Sequence, residues 1–177
     1  MSVGDPRRDE LLNEFLAAFG SLPCPGKASF RRRYSHDSVT IARAEEALLG
    51  KRWQDFVGRP LELVGWTKGY VGSLSPLPPV VLQYYLPVFL MAAAFHNERR
   101  QADDLLSDLV SLLTPSEAGR PDENLKNRWG ILTPEQIDAT IAALKVVDAR
   151  CGESSYADDI APAIEFLKFL RESAPRA

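Results

Sequence analysis

The sequence predicts an all-α fold, a single compact domain of six or seven helices, and three observations favour it. Apolar residues recur at intervals of three and four along most of the chain, as on one face of a helix. β-Branched residues cluster only at Val80–Val81 and Val146–Val147, both inside such helical patterns. The stretch Val80–Phe95 carries almost no polar side chains. A helix that is apolar on every side lies inside a protein or a membrane, so this stretch is expected to form the centre of the core.

The central apolar stretch is too short to cross a membrane. A bilayer span needs about 20 consecutive apolar residues, and Pro87 interrupts this run. An internal proline removes a backbone hydrogen bond and clashes with the preceding turn, so we expect the central helix to be kinked at Pro87. No membrane is predicted as a partner.

The N-terminal part of the chain predicts two amphipathic helices separated by a loop. The first helix begins after Asp5, which can cap it. Residues 21–36 carry two prolines, a glycine and no periodicity, and are predicted to form a surface loop. Asp37 or Ser38 can cap the second helix, which runs to Leu49.

The pattern weakens between the second helix and the central one. Trp53 opens a further helical turn. Residues 61–74 hold three glycines and no long period, which predicts a short turn of helix followed by an irregular loop.

Three helices are predicted after the central one. The first follows it directly, and residues 114–130 then form a long polar connection, predicted to be a second surface loop. Thr133 can cap the next helix, and Gln136 can bond back to it as in a capping box. An aspartate, Asp158 or Asp159, can cap the last helix.

Length, charge and cysteine content limit the kinds of protein that this chain can be. The 177 residues are expected to form one domain, 1–177, and the net charge of −3 is too balanced to predict nucleic-acid binding. Two cysteines, Cys24 and Cys151, are far apart; free thiols in a reducing compartment are the simpler interpretation, and a disulfide between them is the alternative. The N-terminus has no apolar signal segment, so a cytoplasmic location is expected.

The sequence predicts no catalytic residue, no metal site and no cofactor. The two histidines, His36 and His96, have no cysteine or carboxylate at the spacing of a zinc site. Motifs for a nucleophile elbow, a phosphate loop or a dinucleotide site are absent.

The most basic segment is the run Arg31, Arg32 and Arg33 between Phe30 and Tyr34. Arginines flanked by aromatic residues can bind phosphate groups or acidic partners. The alternative is a solvated loop whose aromatic side chains pack under the fold.

Three aromatic residues near loops are candidate contacts. Trp66 and Tyr70 lie on the glycine-rich stretch, and Trp129 ends the second predicted loop. Large aromatic residues on loops either anchor the loop or contact a ligand, and Trp and Tyr are enriched in protein interfaces.

Two acidic residues, Asp104 and Asp108, share one face of a predicted helix, one turn apart. They are candidates for partner binding. Because Arg99 and Arg100 lie four residues before Asp103 and Asp104, a solvated face with ion pairs along the helix is the alternative.

Four short segments form a recognisable pattern: Trp53, Leu74-Ser75, Tyr84-Tyr85-Leu86-Pro87 and Leu132-Thr133-Pro134-Glu135-Gln136. In these segments the chain resembles a group of small bacterial proteins of unknown function, over roughly residues 40–170. The resemblance supplies no catalytic residues. Small cytoplasmic bacterial proteins of this kind include immunity proteins that neutralise a toxin, and the resemblance makes this role an expectation.

These observations predict a non-catalytic protein-binding module whose partner is another protein, with an immunity-type inhibitor of a cognate bacterial toxin as the specific expectation. The alternative is a small-ligand binder or an enzyme with a pocket where Trp66, Tyr70 and Tyr84 meet Arg31–Arg33. A convergent aromatic and basic pocket favours the alternative, whereas an exposed apolar patch with a polar rim favours a protein partner.

Overall fold

The computed structural model describes residues 5–31, 38–63, 74–96, 100–115, 123–151 and 157–173. Within these ranges the chain forms eight α-helices and two short 3₁₀ helices, and no strand. The predicted all-α class is confirmed. The α-helices are α1 (Pro6–Phe19), α2 (Ser38–Leu48), α3 (Pro60–Leu63), α4 (Pro79–Phe95), α5 (Arg100–Leu113), α6 (Glu123–Trp129), α7 (Pro134–Cys151) and α8 (Ala157–Ser173), and the 3₁₀ helices are Lys27–Phe30 and Trp53–Phe56.

Helices α1 and α7 begin with the side-chain caps that the sequence predicts. The Asp5 carboxylate accepts the backbone N–H of Arg7 at 3.1 Å. At α7 the Thr133 hydroxyl accepts the N–H of Gln136 at 3.3 Å, and the Gln136 amide oxygen accepts the N–H of Thr133 at 3.2 Å. This reciprocal pair is the predicted capping box, and it satisfies backbone donors that a helix start leaves open.

The chain leaves α2 through Gly50, which has a φ of +73°. This left-handed conformation costs little for glycine and is strained for residues with a Cβ atom. The turn brings Lys51 back against the end of α2, where its N–H bonds the carbonyl of Leu48 at 3.0 Å.

Helix α4 forms the centre of the fold, as its composition predicts. Its residues from Val81 to Ala94 are buried except Gln83, which is half-buried. The helix packs against α1, α5 and α7, and against the shorter α3, α6 and both 3₁₀ helices. Helix α8 covers α5 and α7 on the outside. Pro87 lies inside α4 without ending it, and the kink at this residue stays a prediction.

Two short helices, α3 and α6, bring the number of α-helices to eight. Helix α6 lies within 114–130, which the sequence predicts as a loop, because Trp129 is buried and fastens this segment to the core. In the same way the predicted loop 21–36 contains a 3₁₀ helix that ends at the buried Phe30. Among the helices that the structure describes, none combines the length and the apolar character needed to cross a membrane.

Candidate functional site

Four of the eight predicted partner-binding residues, Arg32, Arg33, Trp66 and Tyr70, lie outside the described residues. Arg31 is exposed and directly follows the first 3₁₀ helix. A partner-binding role for these five residues stays a prediction.

Trp129 packs inside the protein. Its indole ring is buried, and its Nε1 donates a hydrogen bond to the carbonyl oxygen of Leu112 at 2.7 Å. A buried indole N–H needs such an acceptor. Trp129 therefore joins the end of α6 to the end of α5, and its ring is not at the surface.

The two predicted acidic residues of α5 have different surroundings. Asp104 is exposed. Asp108 is half-buried, and its carboxylate accepts the backbone N–H of Leu74, which lies a few residues before α4. Asp108 thus connects α5 to the segment that enters the central helix.

A groove with a volume of about 490 Å³ lies where the turn after α6, the start of α7 and the end of α8 meet. We call it the α7–α8 groove. At its edge Gly130 donates its N–H to the carbonyl of Lys126 at 2.7 Å, and a Cβ atom on Gly130 would lie 2.5 Å from that oxygen. The turn therefore approaches α6 more closely than a side chain would allow. The groove is lined by Lys126, Gly130, Leu132, Thr133, Pro134, Ile137, Phe169, Leu170 and Ser173.

Among the described residues that line the groove, most are apolar and Lys126 is the only charged one. The Lys126 ammonium lies 6.0 Å from the centre of the Phe169 ring, within the range of a cation–π contact. It also lies 3.3 Å from the carboxylate of Glu123, one turn earlier on α6. The ammonium is therefore held beside the exposed ring of Phe169, next to the groove.

The carboxylate of Glu135 lies at the N-terminus of α7. The pKa of Glu135 is lowered because its carboxylate accepts a hydrogen bond from its own backbone N–H and another from the Thr133 hydroxyl. The positive end of a helix dipole favours such an anion. Lys126 thus lines the groove, and the exposed Glu135 directly follows the lining residue Pro134.

Exposed apolar side chains lie in the groove and beside it. Phe169 and Ile131 are 41% and 40% exposed. The carbonyl of Ile131 accepts the Gln83 side-chain amide of α4 at 3.1 Å. Val80, one turn before Gln83, is 44% exposed. We call the groove together with Ile131 and Val80 the apolar surface.

A second cluster of polar groups lies around Tyr84 and Tyr85 of α4. The Cys24 thiol is free, exposed and 3.4 Å from the carbonyl of Lys51. Burial and a hydrogen bond with Cys24 raise the pKa of Tyr84 to about 12. Burial likewise raises the pKa of Tyr85. Both hydroxyls are therefore protonated at neutral pH, where they act as hydrogen-bond donors and not as bases or nucleophiles.

Residues 7–168 match a family of unknown function, DUF6714. The chain belongs to this family. The resemblance to a family of unknown function is thereby confirmed, and the match extends further towards the N-terminus than the segments on which the resemblance was based. No curated protein and no solved structure is detectably similar to the chain.

For this DUF6714 chain, sequence reasoning missed the residues of the apolar surface. Phe169 had a usable signal, because it is a large apolar residue on α8 outside the inward-facing stripe of Ile160, Leu167 and Leu170. Lys126 had none, since five other charged residues lie in the same polar segment, 114–130. In the described part of the chain, no group of three His, Cys, Asp or Glu side chains could hold a metal ion.

Proposed function

We propose that this chain is a non-catalytic protein-binding module that engages another protein through the apolar surface. The specific form of the proposal is an immunity-type inhibitor of a cognate bacterial toxin that acts in the cytoplasm. The observation that carries the proposal is the α7–α8 groove, with Phe169 exposed in its lining and Ile131 exposed beside it.

The arrangement of the apolar surface supports a polypeptide as the ligand. Contiguous exposed apolar area with a polar rim is typical of protein interaction sites. Here the groove is continued by Ile131, and the Gln83 contact links Ile131 to the N-terminal end of α4, where Val80 is exposed. The groove alone involves α6, α7 and α8, and Val80 adds a fourth helix, α4, to the surface. A small ligand in the groove would cover only the first part, whereas a protein segment can use both.

Ion pairs lie next to the lining residues of α7 and α8 in the sequence. Arg171 lies 2.7 Å from Asp138, and Lys168 lies 2.6 Å from Glu165. These exposed pairs contribute little to stability, but charged side chains around an apolar centre give an interface its register and its selectivity. An apolar centre with such a rim is the usual composition of a protein interface.

The alternative function, a small-ligand binder or an enzyme with an aromatic and arginine pocket, has weaker support. Of the residues it requires, Tyr84 is buried, and its hydroxyl contacts Cys24 and the backbone of Trp53. This hydroxyl is engaged with the protein itself. The described residues therefore favour the protein-binding proposal.

The experiment is co-expression of the chain with the product of the neighbouring gene, followed by co-purification and measurement of the dissociation constant. We expect a stable complex, and we expect Phe169→Glu to weaken it at least about thirtyfold, as the loss of an interface hot spot does. The matched control is Val39→Glu on α2, an exposed apolar residue on a helix remote from the groove. The control should leave the dissociation constant unchanged.

Two results would overturn the proposal. One is the absence of binding to the neighbouring product at micromolar concentration. The other is turnover of a substrate by the isolated chain that Phe169→Glu leaves intact.

A further inference from the structure

We infer that the partner inserts into the α7–α8 groove an amphipathic segment whose apolar anchor is flanked by a carboxylate, and that this carboxylate pairs with Lys126. The inference rests on the proposed function and specifies the chemistry of the partner. It is carried by the combination, among the described lining residues, of an apolar lining with one cation, Lys126, held beside the ring of Phe169.

The groove selects an apolar anchor because of its lining. Leu132, Ile137 and Leu170 are buried at its base, and the exposed ring of Phe169 forms one wall. Burying an apolar side chain against these residues removes apolar area from water on both partners. A volume of about 490 Å³ accommodates several large side chains, as the face of a helix presents them.

Lys126 is the cation that the groove offers to an incoming anion. The neighbouring cations Lys168 and Arg171 form exposed ion pairs with Glu165 and Asp138, as Lys126 does with Glu123, but neither of them lines the groove. Lys126 does line it.

The present partner of Lys126 can be replaced. Glu123 lies three residues before Lys126 on α6, and its side chain is 80% exposed. Such exposed pairs are worth little, since water and salt screen them. A carboxylate that arrives with an apolar segment excludes water from Lys126 and therefore binds it more strongly than Glu123 does.

Glu135 is expected to weaken the binding of a partner carboxylate, whereas Lys126 strengthens it. Its carboxylate lies at the start of α7, directly after the lining residues Thr133 and Pro134. It repels an incoming carboxylate, and it occupies backbone and hydroxyl donors that the incoming group would otherwise use. Neutralising Glu135 and neutralising Lys126 should therefore change the affinity for an acidic segment in opposite directions.

The experiment uses two synthetic helical peptides as probes. Both carry leucine at positions i, i+3, i+4 and i+7; one carries glutamate at the flanking positions and the other carries lysine. Fluorescence anisotropy measures their dissociation constants with the full chain at low and at physiological salt. Amide chemical shifts of Leu132 and Ile137 report whether the peptide lies in the groove.

We expect the acidic peptide to bind in the groove about tenfold more tightly than the basic one, a preference that salt weakens. Lys126→Glu should abolish or reverse this preference, and Glu135→Gln should tighten binding of the acidic peptide a few-fold. The control is Lys145→Glu, an exposed residue of α7 about two turns from the nearest lining residue, Ile137. It should leave both dissociation constants unchanged, and thermal unfolding should verify that every variant is folded.

Each other result overturns the inference. If the basic peptide binds in the groove as tightly as the acidic one, or more tightly, the predicted pairing of a partner carboxylate with Lys126 is wrong. The proposal that the groove binds a protein segment would remain supported by that result. Failure of both peptides to shift the groove residues would reject the groove as the docking site, and co-purification with the neighbouring product would still test the proposed function separately. Self-association of the chain that Phe169→Glu abolishes would make a second copy the occupant.

Discussion

The Tyr85 hydroxyl lies 2.5 Å from the carbonyl oxygen of Leu48 and 2.8 Å from that of Lys51. A buried side chain of the central helix thereby closes the C-terminus of α2. The last carbonyls of a helix have no partner within the helix, and one phenolic hydrogen shared between two oxygens satisfies such a group. Tyr85 is thus a link between α4 and the chain reversal at Gly50.

Removing this hydroxyl should destabilise the protein without changing its packing. Tyr85→Phe retains the ring and removes a buried donor to the Leu48 carbonyl, which keeps only the N–H of Lys51, so we expect a loss of about 0.5–1.5 kcal/mol in the free energy of unfolding. Urea denaturation followed by circular dichroism measures it. A midpoint equal to that of the parent protein would show that water replaces the hydroxyl and that the link carries no stability.

The neighbouring pair Tyr84 and Tyr85 predicts a loss of stability at alkaline pH. Their rings lie 4.9 Å apart, and burial raises the pKa of Tyr84 from 10.0 to about 12 and that of Tyr85 in the same direction. Above pH 10 the unfolded chain releases these protons while the folded chain keeps them. Ionisation therefore stabilises the unfolded state relative to the folded state. Stability is therefore full below pH 10 and falls as the pH rises towards 12.

Urea denaturation between pH 8 and pH 11.5 measures this slope. Tyr84→Phe removes one of the two groups and should make the slope shallower. Absorbance at 295 nm should show two of the five tyrosines ionising later than the others. Normal ionisation of all five in the folded protein would contradict the prediction.

Gln136 joins three helices through one buried amide. Its oxygen accepts the Gln83 amide at 2.8 Å in addition to the N–H of Thr133, and its nitrogen donates to the carbonyl of Ala18 at 3.1 Å. Gln136→Glu places a carboxylate oxygen opposite the Ala18 carbonyl, and we expect a loss of about 2–3 kcal/mol at pH 7.

The loss caused by Gln136→Glu should shrink as the pH falls, because a protonated carboxyl can again donate to Ala18. The difference in stability from the parent protein, measured by urea denaturation at pH 7 and pH 4, tests this. Asn124→Asp, an exposed residue of α6, adds the same charge at the surface and should cost less than about 0.5 kcal/mol. An equal loss for both substitutions would refute the role of the buried amide.

The apolar centre of α4 should not tolerate a charge. Leu90 is fully buried, and Leu90→Asp places an unpaired carboxylate in the core, which should cost more than about 4 kcal/mol and unfold much of the protein at 25 °C. Val80→Asp on the same helix is the control, since Val80 is exposed and an acid near a helix start is favourable. Far-ultraviolet circular dichroism distinguishes the two, and a folded Leu90→Asp variant would contradict the central position of α4.

We expect the purified protein to hold no stoichiometric zinc, iron or manganese. The two histidines and two cysteines, His36, His96, Cys24 and Cys151, are scattered along the chain without the spacing of a zinc motif, and a zinc site needs three or four such ligands or carboxylates together. Elemental analysis of protein prepared without chelator is the measurement. One metal ion per chain, lost together with folding, would reverse this expectation.

Local patterns predicted the elements whose ends are set by short-range contacts. The Asp5 cap and the Thr133–Gln136 box join residues two or three positions apart, so their geometry follows from sequence spacing alone. The burial of α4 also followed directly, because a segment without a polar face has only one stable environment outside a membrane. The prediction fell short at α6, where polar neighbours suggested a loop and the burial of Trp129 against α5 stabilises a helix.

The sequence by itself determined the helical class, the central helix and the caps of α1 and α7. Only the tertiary structure decided where the candidate site lies. Lys126 and Phe169 are far apart in the chain, and no local pattern shows that the turn after α6 and the end of α8 meet at the start of α7. A helix buries its inward face whatever its neighbours are, but a groove exists only where particular helices cross. Its position therefore depends on the packing of the whole core.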